Sequence, residues 1–200
     1  EMLQREAKNS DFGLSPITEK ALGMMELSVK RFMQTIGDMT DISRLQKQGD
    51  LPMEEVDLPS LLQEVTDDLA LAIEQSGAQI DIHVDDCKKV FFAAKNLRSI
   101  IYNLLSNAIK YRDPQRQLSL RVACREVEGY HQLTFEDNGL GIEMKQRDRM
   151  FAMFQRLHNH VEGRGVGLYI VKKMLENAGG KIDVESEVGV GTTFKVFIKS

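Results

Sequence analysis

The chain has little cysteine. Its two, Cys87 and Cys124, lie far apart in 200 residues and fit neither a zinc-ligand pattern nor a disulfide framework. Buried free thiols in a reducing compartment are the expectation. No apolar run approaches the ~20 residues of a membrane-spanning helix, and no secretory leader is recognisable. A basic excess is missing too. The formal net charge of −4 offers no footprint for a phosphate backbone, so nucleic acid is not an expected partner. Internal repeats and low-complexity segments are also lacking.

What remains is an ordinary globular composition, with 42% hydrophobic and 28% charged residues. Two hundred residues hold one domain plus a smaller element. The sequence starts at Glu1 rather than Met, so a fragment of a longer protein is expected. Its location is read as cytoplasmic, with no membrane contact from this stretch and with membrane anchoring of a parent left open.

Two regions are expected, residues 1–50 and 51–200. Residues 1–8 read as the tail of a helix, and Asn9 to Pro16 as a turn. A long amphipathic helix should run from about Ile17 to Gln48, where Leu22, Met25, Val29, Phe32, Ile36 and Met39 form an a/d seam suited to a helical bundle. Gly49-Asp50-Leu51-Pro52 breaks it. Beyond the break, Met53 to Asp57 reads as a short strand and Leu58 to Ser76 as one helix. Gln79 to Val84 and Lys89 to Phe92 read as strands, and Lys95 to Tyr111 as a helix. Leu118 to Arg125 and Gln132 to Glu136 are expected strands joined at Glu128-Gly129. Val166 to Asn177 is an expected helix, and Lys181 to Ser186 with Thr193 to Ile198 an expected hairpin. Helices alternating with strands imply an α/β fold, one layer of each.

Three segments carry chemistry. Asn103, Asn107 and Lys110 stand at i, i+4 and i+7 and share one helix face. An amide oxygen is a hard neutral ligand suited to Mg²⁺, and Lys110 adds a charge near phosphates. Solvent exposure or capping explains two helical asparagines equally well. Asp137-Asn138-Gly139-Leu140-Gly141 ends a strand. An ionised carboxylate only accepts hydrogen bonds, which suits the amino group of adenine and opposes the carbonyl of guanine. Gly139 and Gly141 let backbone approach a flat base, although such turns also occur in plain hairpins. Gly163, Gly165 and Gly167 precede a helix whose free amides attract phosphate. The spacing is not the dinucleotide fingerprint, and the lysine–hydroxyl pair of a P-loop is missing. The polar stretch from Gln155 to Arg164 reads as a lid carrying Arg156 and Arg164, with His158 and His160 as plain polar residues. Read together, the segments imply a pocket for adenine, magnesium and a triphosphate.

In this order the segments resemble the catalytic ATP-binding domain of bacterial sensor histidine kinases, with its two-layer Bergerat fold of a mixed sheet and helices on one face. Asn103 to Tyr111 is similar to the family's N box, Asp137 to Gly141 to its first glycine box, and Phe151 with Phe154 to its F box. Gly163 to Leu168 is similar to the second glycine box, and Gly191-Thr192-Thr193-Phe194 to the closing glycine–threonine segment. The resemblance implies ATP and Mg²⁺ as cofactors. It implies nucleotide contacts at Asn103, Asn107, Lys110, Tyr111, Asp137, Gly139, Gly141, Ile142, Phe154, Arg156, Gly163, Arg164, Gly165, Val166, Gly167, Leu168, Thr192 and Thr193, with Asn107 and Asn103 at the metal. The helix from Ile17, with Asp41-Ile42-Ser43-Arg44-Leu45 near its end, resembles the second helix of the family's dimerisation and phosphotransfer hairpin. It implies a homodimeric parent and a response-regulator partner.

Two departures stand out. None of His83, His131, His158 and His160 has the context of the family's phosphoacceptor, so the sequence is expected to begin after that residue and not to label itself with phosphate. Arg164 replaces the usual small hydroxyl residue between the first two lid glycines. The fold also resembles gyrase-type ATPases, which use a glutamate one helical turn before the magnesium asparagine. That position is Asn103, and an amide cannot act as a base, so slow intrinsic hydrolysis is expected. The expected function is transfer of the γ-phosphoryl group to a histidine outside this sequence and thence to an aspartate of the regulator. A degenerate nucleotide-binding scaffold and an anti-sigma-factor-like serine kinase are the alternatives.

Overall fold

The computed structural model describes residues 18–26, 28–29, 51–155 and 165–200. The chain divides into two compact units, residues 1–46 and 47–200. In the first unit, residues 18–26 and 28–29 are helical, and Met24, Met25 and Val29 are exposed. The remainder of the expected long helix, the turn before it and the break at Gly49-Asp50 lie outside the described residues. Among the described residues no helix is long and apolar enough to cross a membrane.

Among its described residues the second unit contains two sheets. β1 (Glu54–Asp57) pairs antiparallel with β3 (Lys89–Phe92). The larger sheet has the order β2-β4-β5-β7-β6, with β2 Gln79–His83, β4 Ser119–Val127, β5 Tyr130–Asp137, β6 Lys181–Glu187 and β7 Gly191–Lys199. It is mixed, because β2 runs parallel to β4 and every other pair is antiparallel. One layer of strands thus splits into two sheets. The short β1–β3 pair presents Val56, Val90 and Phe92 inward and leaves Phe91 exposed.

Among its described residues five α-helices complete the unit: α1 Leu58–Asp68, α2 Ala70–Ser76, α3 Ala94–Lys110, α4 Arg147–Met150 and α5 Gly167–Asn177. Asp57 caps α1 by accepting from Ser60 N at 2.9 Å, and Pro59 sits in the first turn, where a missing N–H costs nothing. The single helix expected over Leu58 to Ser76 breaks at Leu69. There the backbone turns to φ −95° and ψ 3°, and the Leu69 amide is shared between Val65 and Thr66 carbonyls. The Thr66 hydroxyl also bonds back to the Leu62 and Gln63 carbonyls, competition that loosens a helix end.

Alternation along the sheet sets the core. Leu120 and Val122 of β4, Leu133 and Phe135 of β5, and Phe194, Val196 and Ile198 of β7 are all buried on one face. Leu97, Ile100, Ile101, Leu104 and Leu105 of α3 and Val171 and Leu175 of α5 are buried as well. Burying one such side chain contributes about 1.5–3 kcal/mol.

The cysteines correct an expectation. Both are buried as expected, but Cys87 and Cys124 are joined as a disulfide, with Cα atoms 5.7 Å apart. Their separation of 37 residues did not reveal this. β2 lies beside β4, and the 3₁₀ turn Asp85–Cys87 after β2 brings Cys87 to Cys124 on β4.

Candidate nucleotide site

Three backbone segments meet at one end of the large sheet. The first is the C-terminal half of α3, with Asn103, Asn107 and Lys110 on the helix and Tyr111 as its C-cap. The second is the loop from Asp137, the last residue of β5, to Ile142. The third is the start of α5, where Gly165 and Val166 lead into Gly167 and Leu168.

The loop after β5 is pinned on both sides. Leu140 N donates to the Tyr111 carbonyl at 2.9 Å, tying it to the end of α3. Gly189 N donates to the Leu140 carbonyl at 2.8 Å, tying it to the β6–β7 turn. Gly141, at φ 69°, adopts a conformation costly for L side chains, and any Cβ there would strike the Glu187 carbonyl. A Cβ on Gly139 would lie 2.6 Å from the Tyr111 carbonyl oxygen. These glycines are therefore required by packing against the protein's own backbone.

Asp137 is half-buried. Its Oδ1 accepts from Gly139 N at 2.8 Å. Burial pushes the carboxyl up to about 6, against the lowering influence of hydrogen bonds from the Gly139 and Thr192 amides and of the Arg116 charge. Asp137 pairs with Thr192 across β5 and β7, which brings Thr192 to the site. Thr193 pairs instead with Glu136, so strand alternation places it on the other face from Asp137. Thr192 and Thr193, expected to act together, are separated by the pleat.

Asn103 and Asn107 differ as well. Asn103 donates its amide N–H to the Ser99 carbonyl at 2.7 Å, while its Oδ1 faces Gly167. This arrangement suits alignment of α5 against α3 better than metal ligation. The half-buried Asn107 side chain has no such tie among the described residues, and its amide oxygen fits Mg²⁺ chemistry. Lys110 Nζ lies 5.2 Å over the Tyr111 ring.

Gly165, at φ 68°, abuts the backbone of Gln155, where a Cβ would collide with the carbonyl. Phe151 is buried, whereas Phe154 is exposed and held at φ 62°. Arg156, His158, His160, Gly163, Arg164 and almost all of the expected lid lie outside the described residues.

Other residues in this network were not foreseen. Ser186 Oγ accepts from Ile142 N at 2.8 Å, donates to the Gly191 carbonyl at 2.8 Å and stands 2.9 Å from Thr192 Oγ1. Asn138 closes the mouth of β4 by accepting from Ser119 N and donating to the Gln117 carbonyl, both at 2.9 Å. Arg116 donates to the Gly139 carbonyl at 2.7 Å. Only Asn138 had a sequence signal, in the Asp-Asn-Gly turn.

The assembled site has an acceptor carboxylate, close-packed glycines, an amide-bearing helix and the amino end of an eleven-residue helix. Comparison with known proteins places the chain in a family. The family model of histidine kinase-, DNA gyrase B-, and HSP90-like ATPases matches residues 92–200. The sensor protein RprX of Bacteroides fragilis is 31% identical over 194 residues, which cover 94% of this chain and 37% of RprX. The chain therefore spans little more than a third of that relative. Among solved structures, the catalytic domain of histidine kinase ThkA matches with a TM-score of 0.65 at 21% identity, over 74% of this chain and 96% of that domain. Full-length ShkA in complex with AMPPNP matches with a TM-score of 0.75 at 22% identity, over 97% of this chain and 41% of ShkA. The chain belongs to the family of histidine kinase-, DNA gyrase B-, and HSP90-like ATPases, and within it is a catalytic ATP-binding domain of the sensor histidine kinase type.

Proposed function

We propose that this domain binds Mg-ATP and presents the γ-phosphoryl group to a histidine, from which it passes to an aspartate of a response regulator. The observation that carries the reading is the Asp137 carboxylate, half-buried at the end of β5 with Oδ1 taken by Gly139 N. The carboxylate lone pairs not used by the Gly139 and Thr192 amides would accept from the exocyclic amine of adenine. Asp137, Gly139, Gly141, Ile142 and Thr192 would hold the base. Lys110, Tyr111, Gly165, Val166, Gly167 and Leu168 would face the phosphates, together with Arg156, Gly163 and Arg164.

Asn107 would hold Mg²⁺, which neutralises charge on the phosphates when bound. The chain's own contribution is positioning, with the phosphates aligned on the α5 amides and the base fixed by Asp137. Asn103 occupies the place of a hydrolytic glutamate and cannot take a proton from water. This favours a phosphotransferase over an ATPase. In the parent protein, the helix containing residues 18–26 and 28–29 would form part of a dimerising hairpin.

Calorimetric titration with AMPPNP, with and without Mg²⁺, tests the reading. Magnesium-dependent binding that is lost in Asp137→Asn is expected. Absence of binding by the wild-type chain would sink it.

A further inference from the structure

The turn carrying Asp137 is held by a side chain outside the family-like segments. Arg116, in the loop between α3 and β4, donates a terminal guanidinium N–H to the Gly139 carbonyl at 2.7 Å. The same nitrogen is 3.5 Å from Asp113 Oδ2. Asp113 is itself fixed, because its Oδ1 accepts from Gln115 N at 2.9 Å. Gly139 in turn donates its N–H to Asp137 Oδ1 at 2.8 Å. A continuous relay therefore runs from Asp113 through Arg116 and the two polar groups of Gly139 to the Asp137 carboxylate.

The relay acts in two ways. It fixes both polar groups of Gly139, and so the direction in which Asp137 points. It also places a permanent positive charge near that carboxylate, since a guanidinium does not deprotonate in proteins. The charged groups acting on Asp137 are Arg116 from the α3–β4 loop and Glu136 from β5, with opposite effects; Thr192 on β7 contributes its backbone amide. The balance matters for recognition. An ionised carboxylate accepts from a 6-amino purine and repels a 6-oxo purine, whereas a protonated carboxyl can donate to the 6-oxo group.

We propose that Arg116 is the positioning residue that sets purine choice, holding the Asp137 turn and keeping its carboxylate an acceptor, so that adenine is selected over guanine. This rests on the nucleotide reading above.

The test is calorimetry of the full chain with Mg-ADP and Mg-GDP from pH 5.5 to 8.5, on wild type, Arg116→Met and Asp113→Asn. The ADP-to-GDP affinity ratio cancels titration of the phosphates, which both ligands share. In wild type the ratio should fall as pH drops through about 6. In Arg116→Met that midpoint should rise by about half a unit, a threefold change in proton affinity. The ratio at pH 7 should fall, and affinity should be lost more at pH 7 than at pH 8.5. Asp113→Asn, which leaves the guanidinium in place but removes its anchor, should shift the midpoint less in the same direction. An unchanged midpoint and ratio, or an equal loss at every pH, would overturn the proposal and leave Arg116 a structural support. Wild type that binds neither nucleotide would overturn the nucleotide reading itself. Circular dichroism confirms the fold of each variant, and Asp113→Asn decides the matter alone should Arg116→Met not fold.

Discussion

Asn103 and Gly167 meet across the α3–α5 contact, so closely that a Cβ on residue 167 would lie 2.5 Å from Asn103 Oδ1. The amide cannot easily retreat, because its nitrogen is bound to the Ser99 carbonyl. The amino end of α5 and the middle of α3 are thus registered against each other by a side chain and a missing side chain. Gly167→Ala should destabilise the domain by about 1–3 kcal/mol, the usual cost of overpacking. Asn103→Ala in the same chain should recover most of that loss. Chemical denaturation of both single variants and the double variant gives the coupling, and simple additivity would exclude the contact as the cause.

Asp137 trades stability for recognition. Burial pushes its carboxyl up to about 6 in the folded chain, above the ordinary aspartate value of about 3.9. A folded value above the unfolded one means that the native state holds the proton more tightly. The associated stability is fully present below the unfolded value and is lost as pH rises through about 6. Near neutrality the ionised, half-buried carboxylate therefore costs up to about 3 kcal/mol, an upper bound from the size of the shift. Asp137→Asn should raise the melting temperature at pH 7.5 and change it little at pH 4.5, while adenine nucleotide binding is abolished. A lower melting temperature at pH 7.5 would show that the carboxylate stabilises the empty site.

The disulfide between Cys87 and Cys124 closes a loop of 37 residues containing β3, α3 and the start of β4. The loop-entropy relation places its contribution at about 3–4 kcal/mol. A thiol reductant should lower the melting temperature of wild type and leave a Cys87→Ser/Cys124→Ser double variant unaffected. Equal melting curves for wild type with and without reductant would indicate that the bond adds nothing to stability.

Much of this architecture was legible because its signals are local. The period-3.6 pattern of Leu97, Ile101, Leu104, Leu105 and Ala108 located α3 to within a residue at each end, and alternation located the strands of the large sheet. The glycines of the turn after β5 were singled out for approach to a flat base, whereas the close approach seen is to the Tyr111 and Glu187 backbone. What escaped depends on distance along the chain. Ser186 reaches Ile142 across 44 residues and Arg116 reaches Gly139 across 23, each to a backbone atom that carries no sequence signature. The pairing of Cys87 with Cys124 needs β2 beside β4, which no local pattern states. Thr193 was taken together with Thr192 through the resemblance of Gly191-Thr192-Thr193-Phe194 to the family's closing segment, although a strand sends neighbours to opposite faces. The break at Leu69 lies within an unbroken helical pattern, and local carbonyl competition from Thr66 accompanies it.

Gly141 and Gly77 form a natural control pair for the packing of the turn. Both have positive φ, 69° at Gly141 and 63° at Gly77. Around Gly77 a Cβ would find no atom within 4 Å, whereas at Gly141 it would run into the Glu187 backbone. Gly77→Ala therefore reports the backbone cost alone, about 1–2 kcal/mol. Gly141→Ala adds displacement of the β6–β7 turn, which the Leu140 carbonyl holds through Gly189 N at 2.8 Å, and should exceed the Gly77→Ala loss by about 1–3 kcal/mol. It should also weaken AMPPNP binding, because the same displacement disturbs the Asp137 turn, whereas Gly77→Ala should leave affinity unchanged. Equal losses of stability in the two variants would mean that the turn yields freely, and that the closeness of Glu187 to Gly141 has no part in shaping the base pocket.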